Sequence, residues 1–182
     1  MAKAENKVWY EILASKHFNN ATIGETLCSD PNKLIGRHLE INYSTIANDP
    51  KRQNIKLGFV IDNVNENKAN TNLISYQLTS SYIKRLVKRS SNKIDDSFLF
   101  KTKDDVKIRI KPSIYLKSKT KRSILKVLRK FIKEIIDNYF KENDYDAIIS
   151  SILNYEIQKL IKDYLRKIHP IAGIEIRVFK KQ

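Results

Sequence analysis

The sequence predicts a single α+β domain, with a core of roughly seven strands and flanking amphipathic helices. Three observations carry this. Apolar and polar residues alternate with a period of two through much of the first two thirds of the chain. From Lys121 onward the apolar residues recur at three- and four-residue steps. The alternation then returns near the C-terminus, so strands bracket the helices, which argues against a sheet domain followed by a helical one. A chain of 182 residues with 41% hydrophobic content, rich in Ile and Leu, can bury one substantial core.

Residues 1–7 read as a short, basic, flexible tail lacking the apolar stretch of a signal peptide. Residues 8–182 form the globular domain: β-rich over 8–116, helical over 121–168, with a closing strand over 173–180. Val8–Ala14 opens with strand-favouring residues. Arg37–Tyr43 alternates Leu39, Ile41 and Tyr43 against polar neighbours. Ile55–Val64 and Leu73–Leu78 make a hairpin across the Asn-rich turn at Asn63–Asn70. Thr79–Ser91 changes period: Tyr82, Ile83, Leu86 and Val87 define one helix face and Lys84, Arg85, Lys88 and Arg89 the other, with Ser80 or Ser81 available as cap. Ile94–Thr102 and Val106–Leu116 form a second hairpin around Lys103-Asp104-Asp105. In its second strand Val106, Ile108 and Ile110 oppose Lys107, Arg109 and Lys111, and Pro112 demotes the strand end to an edge or bend. In the helix over 121–140, Ile124, Leu128, Phe131, Ile135 and Tyr139 define the expected core stripe. A second helical stretch over 145–168 buries Ile157, Leu160, Ile161, Tyr164, Leu165 and Ile168 and ends at Pro170.

Charge is the most informative functional signal. The net charge is +15. From Lys107 to Lys133 eleven Lys or Arg residues occur without one Asp or Glu: Lys107, Arg109, Lys111, Lys117, Lys119, Lys121, Arg122, Lys126, Arg129, Lys130 and Lys133. Lys outnumbers Arg 26 to 9, as codon drift in an AT-rich genome would produce. Drift raises total Lys, but it does not empty one window of acids. A solvated basic face without a partner is the competing reading, although such faces normally interleave both signs. A one-sign block repels itself, and the regular polyanion that relieves it is a nucleic acid backbone. At 100° per residue, Arg122, Lys126, Arg129, Lys130 and Lys133 share one side of their helix. The tether Lys117–Arg122 is polar and suited to ordering on contact with a partner. Tyr115, Tyr139 and Phe179 are aromatic, but their spacing favours core over base stacking. The pattern therefore favours backbone recognition over base reading.

Other chemistries find no support. Cys28 stands alone, which excludes an intramolecular disulfide and a cysteine-built zinc site and fits a reducing, cytosolic setting. His17, His38 and His169 are isolated, and the four glycines never cluster into a phosphate loop. Asp95-Asp96 and Asp104-Asp105 are paired carboxylates at turns, where Asp is favoured for backbone reasons. No activated nucleophile with a positioned base is visible, so no catalytic residue, metal or cofactor is expected. No apolar run approaches the ~18 residues of a membrane span.

Val8-Trp9-Tyr10 with Ala14 and Phe18, Ile23-Gly24-Glu25-Thr26-Leu27, and Leu34-Ile35-Gly36-Arg37 with Glu40 open a series of matches. Lys56-Leu57 with Phe59, then Leu78-Thr79 through Tyr82 to Leu86-Val87-Lys88-Arg89, continue it. Asp104 with Arg109, then His169-Pro170 and Ile174-Glu175-Ile176-Arg177, complete it. Over residues 7–181 the chain resembles the archaeal and eukaryotic small-subunit ribosomal protein family S-three-A-e, the eukaryote-type small-subunit protein one. The resemblance implies a β-barrel-like core with flanking helices and a cytoplasmic, non-catalytic ribonucleoprotein role in translation. It also implies a place on the small-subunit platform near the messenger exit. Its partners there would be the 3′ region of the rRNA, neighbouring ribosomal proteins and messenger RNA, with no membrane contact. The departures are Ser15 for a usual Pro, Asp105 for a usual Gly, a cationic helix at Ser123–Lys130 without the family's Gln-containing pattern, and no long C-terminal tail.

The expected rRNA-binding residues are Lys84, Arg85, Lys88, Arg89 and the eleven cations of Lys107–Lys133. The alternative function is a free-standing RNA-binding factor in RNA maturation or ribosome assembly. An RNA-processing enzyme would demand turnover dependent on Asp95, Asp96, Asp104 or Asp105.

Overall fold

Residues 7–182 are described by the computed structural model, so the tail expected over 1–7 lies, apart from Lys7, outside the described residues. Cα packing divides the chain into two units, one ending at Tyr76 and one beginning at Gln77.

The first unit is built on five strands: β1 (Val8–Leu13), β2 (Thr22–Cys28), β3 (His38–Asn42), β4 (Ile55–Asn65) and β5 (Lys68–Leu78). Their order is β2-β1-β5-β4-β3. β1 lies antiparallel to β2 and parallel to β5, and β3 antiparallel to β4. Alternation does the work here, since Tyr10 and Ile12 from β1 meet Cys28, Leu34, Ile61 and Ala69 in one buried cluster. Cys28 is free and buried there, its thiol donating to the Asp30 carbonyl at 3.3 Å and accepting from the Arg37 guanidinium at 3.6 Å. Phe18 packs edge-on against Phe59, centroids 5.9 Å apart. The first hairpin turns at Glu66-Asn67, where Glu66 adopts φ 52°. Ser15 has φ −63°, a value that a proline ring also holds. A five-residue helix, α1 (Tyr43–Ala47), follows β3 and was not expected.

The second unit contains α2 (Ser80–Leu86), β6 (Lys93–Asp95), β7 (Phe98–Lys101), β8 (Lys107–Leu116), α3 (Arg122–Glu142), α4 (Tyr145–Leu153), α5 (Glu156–Arg166) and β9 (Ile171–Lys181). β8 is its centre, antiparallel to β9 along one side and to β6 and β7 along the other. Its even residues Ile108, Ile110 and Ile114 are buried. On that face Phe140 of α3 packs edge-on against Phe100 of β7 at 5.7 Å and Phe179 of β9 at 6.5 Å.

The α+β class stands, with nine strands among the described residues where roughly seven are expected. β2 carries only a weak alternation, because Gly24 interrupts it and Cys28 alone among its residues is buried. The segment over 94–102 splits into β6 and β7 at Asp96-Ser97. Pro112 neither ends β8 nor lies at an edge: it is buried in mid-strand, where the β8–β9 register shifts and a missing N–H is tolerated.

The helices needed more correction. α2 stops at Leu86 because Val87 turns extended, and its N-cap is Thr79, so neither Ser80 nor Ser81 caps it. The stretch over 145–168 is two helices, interrupted where Tyr155 takes the left-handed conformation at φ 61°. In α3 the buried stripe is Leu128, Ile132, Ile136 and Phe140, and of the expected set only Leu128 is fully buried. Ile124, Ile135 and Tyr139 are half-buried and Phe131 is exposed. In α5 Ile157, Ile161 and Leu165 are buried as expected, but Tyr164 is exposed and Leu160 half-buried, and Ile168, exposed, lies in the turn beyond the helix. Both helices sit rotated towards one edge of a broad apolar sector.

Candidate nucleic-acid interface

All fifteen expected cations fall in the second unit, and its sheet sorts them into two groups. The first group lies on the outer face. β8 alternation puts Lys107, Arg109 and Lys111 opposite the buried isoleucines. Ser113 and Tyr115 continue that face, and Glu175, paired with Ser113, accepts a hydrogen bond from the Tyr82 hydroxyl of α2 at 3.3 Å. α2 is therefore anchored on the same side, carrying Lys84 and Arg85, both exposed. The Arg85 guanidinium sits 5.8 Å from the Tyr82 ring centre. Lys88 and Arg89 are not helical; they occupy the following turn, closed by the Ser91 amide donating to the Lys88 carbonyl at 3.3 Å.

The second group is the tether and α3, whose Phe140 packs on the opposite face. The strand cations therefore do not extend the helix row, because the sheet separates them. Lys117, Lys119 and Lys121 project from a tether that is itself anchored. The Lys117 amide donates to the Pro170 carbonyl at 3.2 Å and the Thr120 amide to Asn92 Oδ1 at 2.9 Å. Thr120 Oγ1 lies 3.0 Å from His169 Nε2, which gives that histidine a structural role. Along α3, Arg122, Lys126, Arg129, Lys130 and Lys133 are all exposed. They occupy about 100° of the helix circumference and about 17 Å of its length. Arg129 reaches Asp96 at 3.3 Å and Lys130 lies 3.8 Å from Glu134. Among the described residues, Arg122, Lys126 and Lys133 make no ion pair.

Sheet register reveals two cations that sequence reasoning missed. Lys101 stands directly opposite Lys107, and Lys180 opposite Arg109. Like charges across a strand pair cost stability, roughly 0.2–1 kcal/mol each. Asp105 draws off Lys101 at 2.8 Å, but the Arg109–Lys180 pair has no such acid partner among the described residues. The alternation over 173–180 could have placed Lys180 on a strand face; only the register shows what it faces.

The paired aspartates have structural duties. Asp95 accepts from Ser113 and Lys93, and although burial pushes its carboxyl up, these partners outweigh burial and hold it below the usual range. Asp104 accepts from the Tyr145 amide at the start of α4 at 3.0 Å. Asp105 lies at φ 59°, a left-handed turn position that a glycine would hold without strain. Among the described residues no group of three or more His, Cys, Asp or Glu could hold a metal, and no helix is long and apolar enough to cross a membrane. Tyr115 and Phe179 are buried, and the half-buried Tyr139 donates to Ser151 Oγ at 2.7 Å, so these three aromatics are packing residues.

The Tyr82–Glu175 contact is electrostatically loaded. Burial, then Glu175, push the Tyr82 hydroxyl up to about 12. Burial also raises the Glu175 carboxyl, partly offset by the Tyr82 hydrogen bond and Lys162. The folded chain therefore holds the Glu175 proton more tightly than the unfolded chain, and stability declines as pH rises from the unfolded carboxyl value to the folded one. Glu175→Gln is expected to raise the melting temperature at neutral pH by about 2–4 °C. Thermal unfolding followed by circular dichroism should show that advantage closing as pH falls below about 4.

The chain matches the Ribosomal S3Ae family over residues 1–181. It is 32% identical to the small ribosomal subunit protein eS1 of Methanothrix thermoacetophila over 175 residues, 96% of this chain and 83% of that protein. Identity to the eS1 protein of Methanobrevibacter smithii is 32% over 172 residues, covering 94% and 89% of the two chains. The eS1 protein of Methanopyrus kandleri is 35% identical over 179 residues, covering 96% and 85%.

Proposed function

Because the chain belongs to the ribosomal S3Ae family, a family of structural proteins rather than enzymes, we propose that it binds small-subunit rRNA through the basic surfaces of its second unit. Its position in that reading is the platform near the messenger exit, against the 3′ region of the rRNA and neighbouring subunit proteins. The observation that carries the reading is the acid-free window Lys107–Lys133. Folding places Arg122, Lys126 and Lys133 on one exposed side of α3 without an ion pair among the described residues. Long-stemmed cations on a rigid helix suit phosphate contact, since they need little reorganisation to release counterions. The outer-face group supplies a second contact area, where Arg109 and Lys180 stand opposed. A bound phosphate between them would turn that repulsion into attraction.

A gradient profile tests the reading. The protein should appear in small subunits at one copy each, whereas a free-standing RNA-binding factor would remain at the top of the gradient. Purified protein should also lose affinity for a structured rRNA fragment by about a thousandfold or more between 50 and 200 mM salt if ~6 cations meet phosphates. A flat salt response would remove the electrostatic mechanism.

A further inference from the structure

We propose that the second unit bridges two separate RNA segments, one held on the outer face of its sheet and one along α3. The inference rests on the rRNA-binding reading and deepens it. That reading is satisfied by a single contact, whereas the fold offers two that no one phosphate path joins.

Register assembles the outer-face site. Lys107 and Arg109 are exposed on one face of β8, with Lys101 of β7 directly opposite the first and Lys180 of β9 opposite the second. These cations sit about 5 Å apart across strands and about 7 Å apart along one, so a phosphate among them meets several at once. Among the described residues Lys101 pairs with Asp105, while Lys107, Arg109 and Lys180 make no ion pair. Leu99, beside Arg109 on β7, is 49% exposed, so this part of the face is uncovered. The other part lies under α2, through the Tyr82–Glu175 contact.

Two observations separate this site from the α3 row. Phe140 seats α3 on the opposite face, against Phe100 and Phe179. A helix is about 10–12 Å across, so sheet and helix together set the two groups of charges on the order of 20 Å apart. The second observation is the edge between the faces. Among the described residues β7 is bonded on one side only, to β8, and acids bound it: Asp95-Asp96 precede it and Asp104-Asp105 follow it. Asp96 meets Arg129 of α3 at 3.3 Å, and Asp105 meets Lys101 of the outer face at 2.8 Å. At each end of β7 the cation nearest the edge is therefore already paired. A phosphate backbone following one face loses its counter-charge where it would turn onto the other. Two RNA segments, one per face, satisfy both groups.

Duplex bridging by the full-length protein tests this. The probe is one short RNA duplex of arbitrary sequence, half of it carrying a donor dye and half an acceptor. At about 50 mM salt the protein should saturate at two duplexes per chain, with energy transfer between the dyes and one protein chain per complex in sedimentation. In Lys107→Glu with Arg109→Glu each new carboxylate faces a lysine across the sheet, so the sheet is not destabilised. That variant should saturate at one duplex and lose the energy transfer. So should Arg122→Glu with Lys126→Glu and Lys133→Glu. Saturation of the wild type at one duplex would overturn the inference, as would energy transfer only from complexes holding two chains. A folded variant that still binds two duplexes, or that binds none, would overturn it too. The wild-type stoichiometry decides the matter if a variant does not fold. Failure of the wild type to bind any duplex would instead overturn the phosphate-contact reading beneath it.

Discussion

Replacing Arg122, Lys126 and Lys133 together by glutamate is expected to lower affinity for a structured rRNA fragment at least a hundredfold near 100 mM salt. It should also reduce the slope of log affinity against log salt by about 2–3, because each phosphate contact contributes roughly 0.7–0.9. The three residues are chosen because none makes an ion pair among the described residues and all are exposed, so neither core nor pairing is disturbed. Arg129 is left alone. Its guanidinium pairs with Asp96 at 3.3 Å, and a glutamate there would bring two carboxylates together and confuse lost binding with lost stability. The circular dichroism spectrum should be unchanged while the protein disappears from small subunits. Continued incorporation would remove the α3 row from the interface.

Phe140→Ala is expected to cost about 3–5 kcal/mol in a denaturant titration, enough to unfold a large fraction of a marginally stable chain. Its ring is fully buried against Phe100 and Phe179, and neighbours held in a sheet and a helix cannot collapse fully into the space it leaves. Phe131→Ala, nine residues earlier on the same helix, should cost clearly less, because 42% of that side chain is already exposed before the truncation. The pair separates the two rotations of α3. Equal costs would mean that Phe131, as its spacing suggests, also belongs to the core.

That contrast shows what periodicity conveys. Leu128 belongs both to a stripe through Ile124, Phe131, Ile135 and Tyr139 and to one through Ile132, Ile136 and Phe140. Each repeats at three- or four-residue steps, so each satisfies a helical period. The sector is wider than one contact, and only the neighbour against which the helix lies selects the rotation. The same ambiguity in α5 makes Tyr164 look buried, although it is 55% exposed. Hairpins were more legible, since the turn signals at Glu66-Asn67 and around Asp104-Asp105 are local chemistry.

The cationic surface divides in the same way. The absence of acids between Lys107 and Lys133, and the alternation of Lys107, Arg109 and Lys111 against isoleucines, are properties of adjacent residues and could be read directly. That Lys101 and Lys180 join the strand cations depends on register, a relation between segments far apart in the chain. So does the anchoring of the tether, where Thr120 meets Asn92 and His169.

Sequence by itself determined the α+β class, the family and the concentration of positive charge, because element period, motif order and charge runs are written in neighbouring residues. Tertiary structure alone decided which side of each helix is buried, and that the strand and helix cations stand on opposite faces of a sheet. Helix rotation and strand register follow from contacts between distant segments, and a broad apolar sector is compatible with more than one of them.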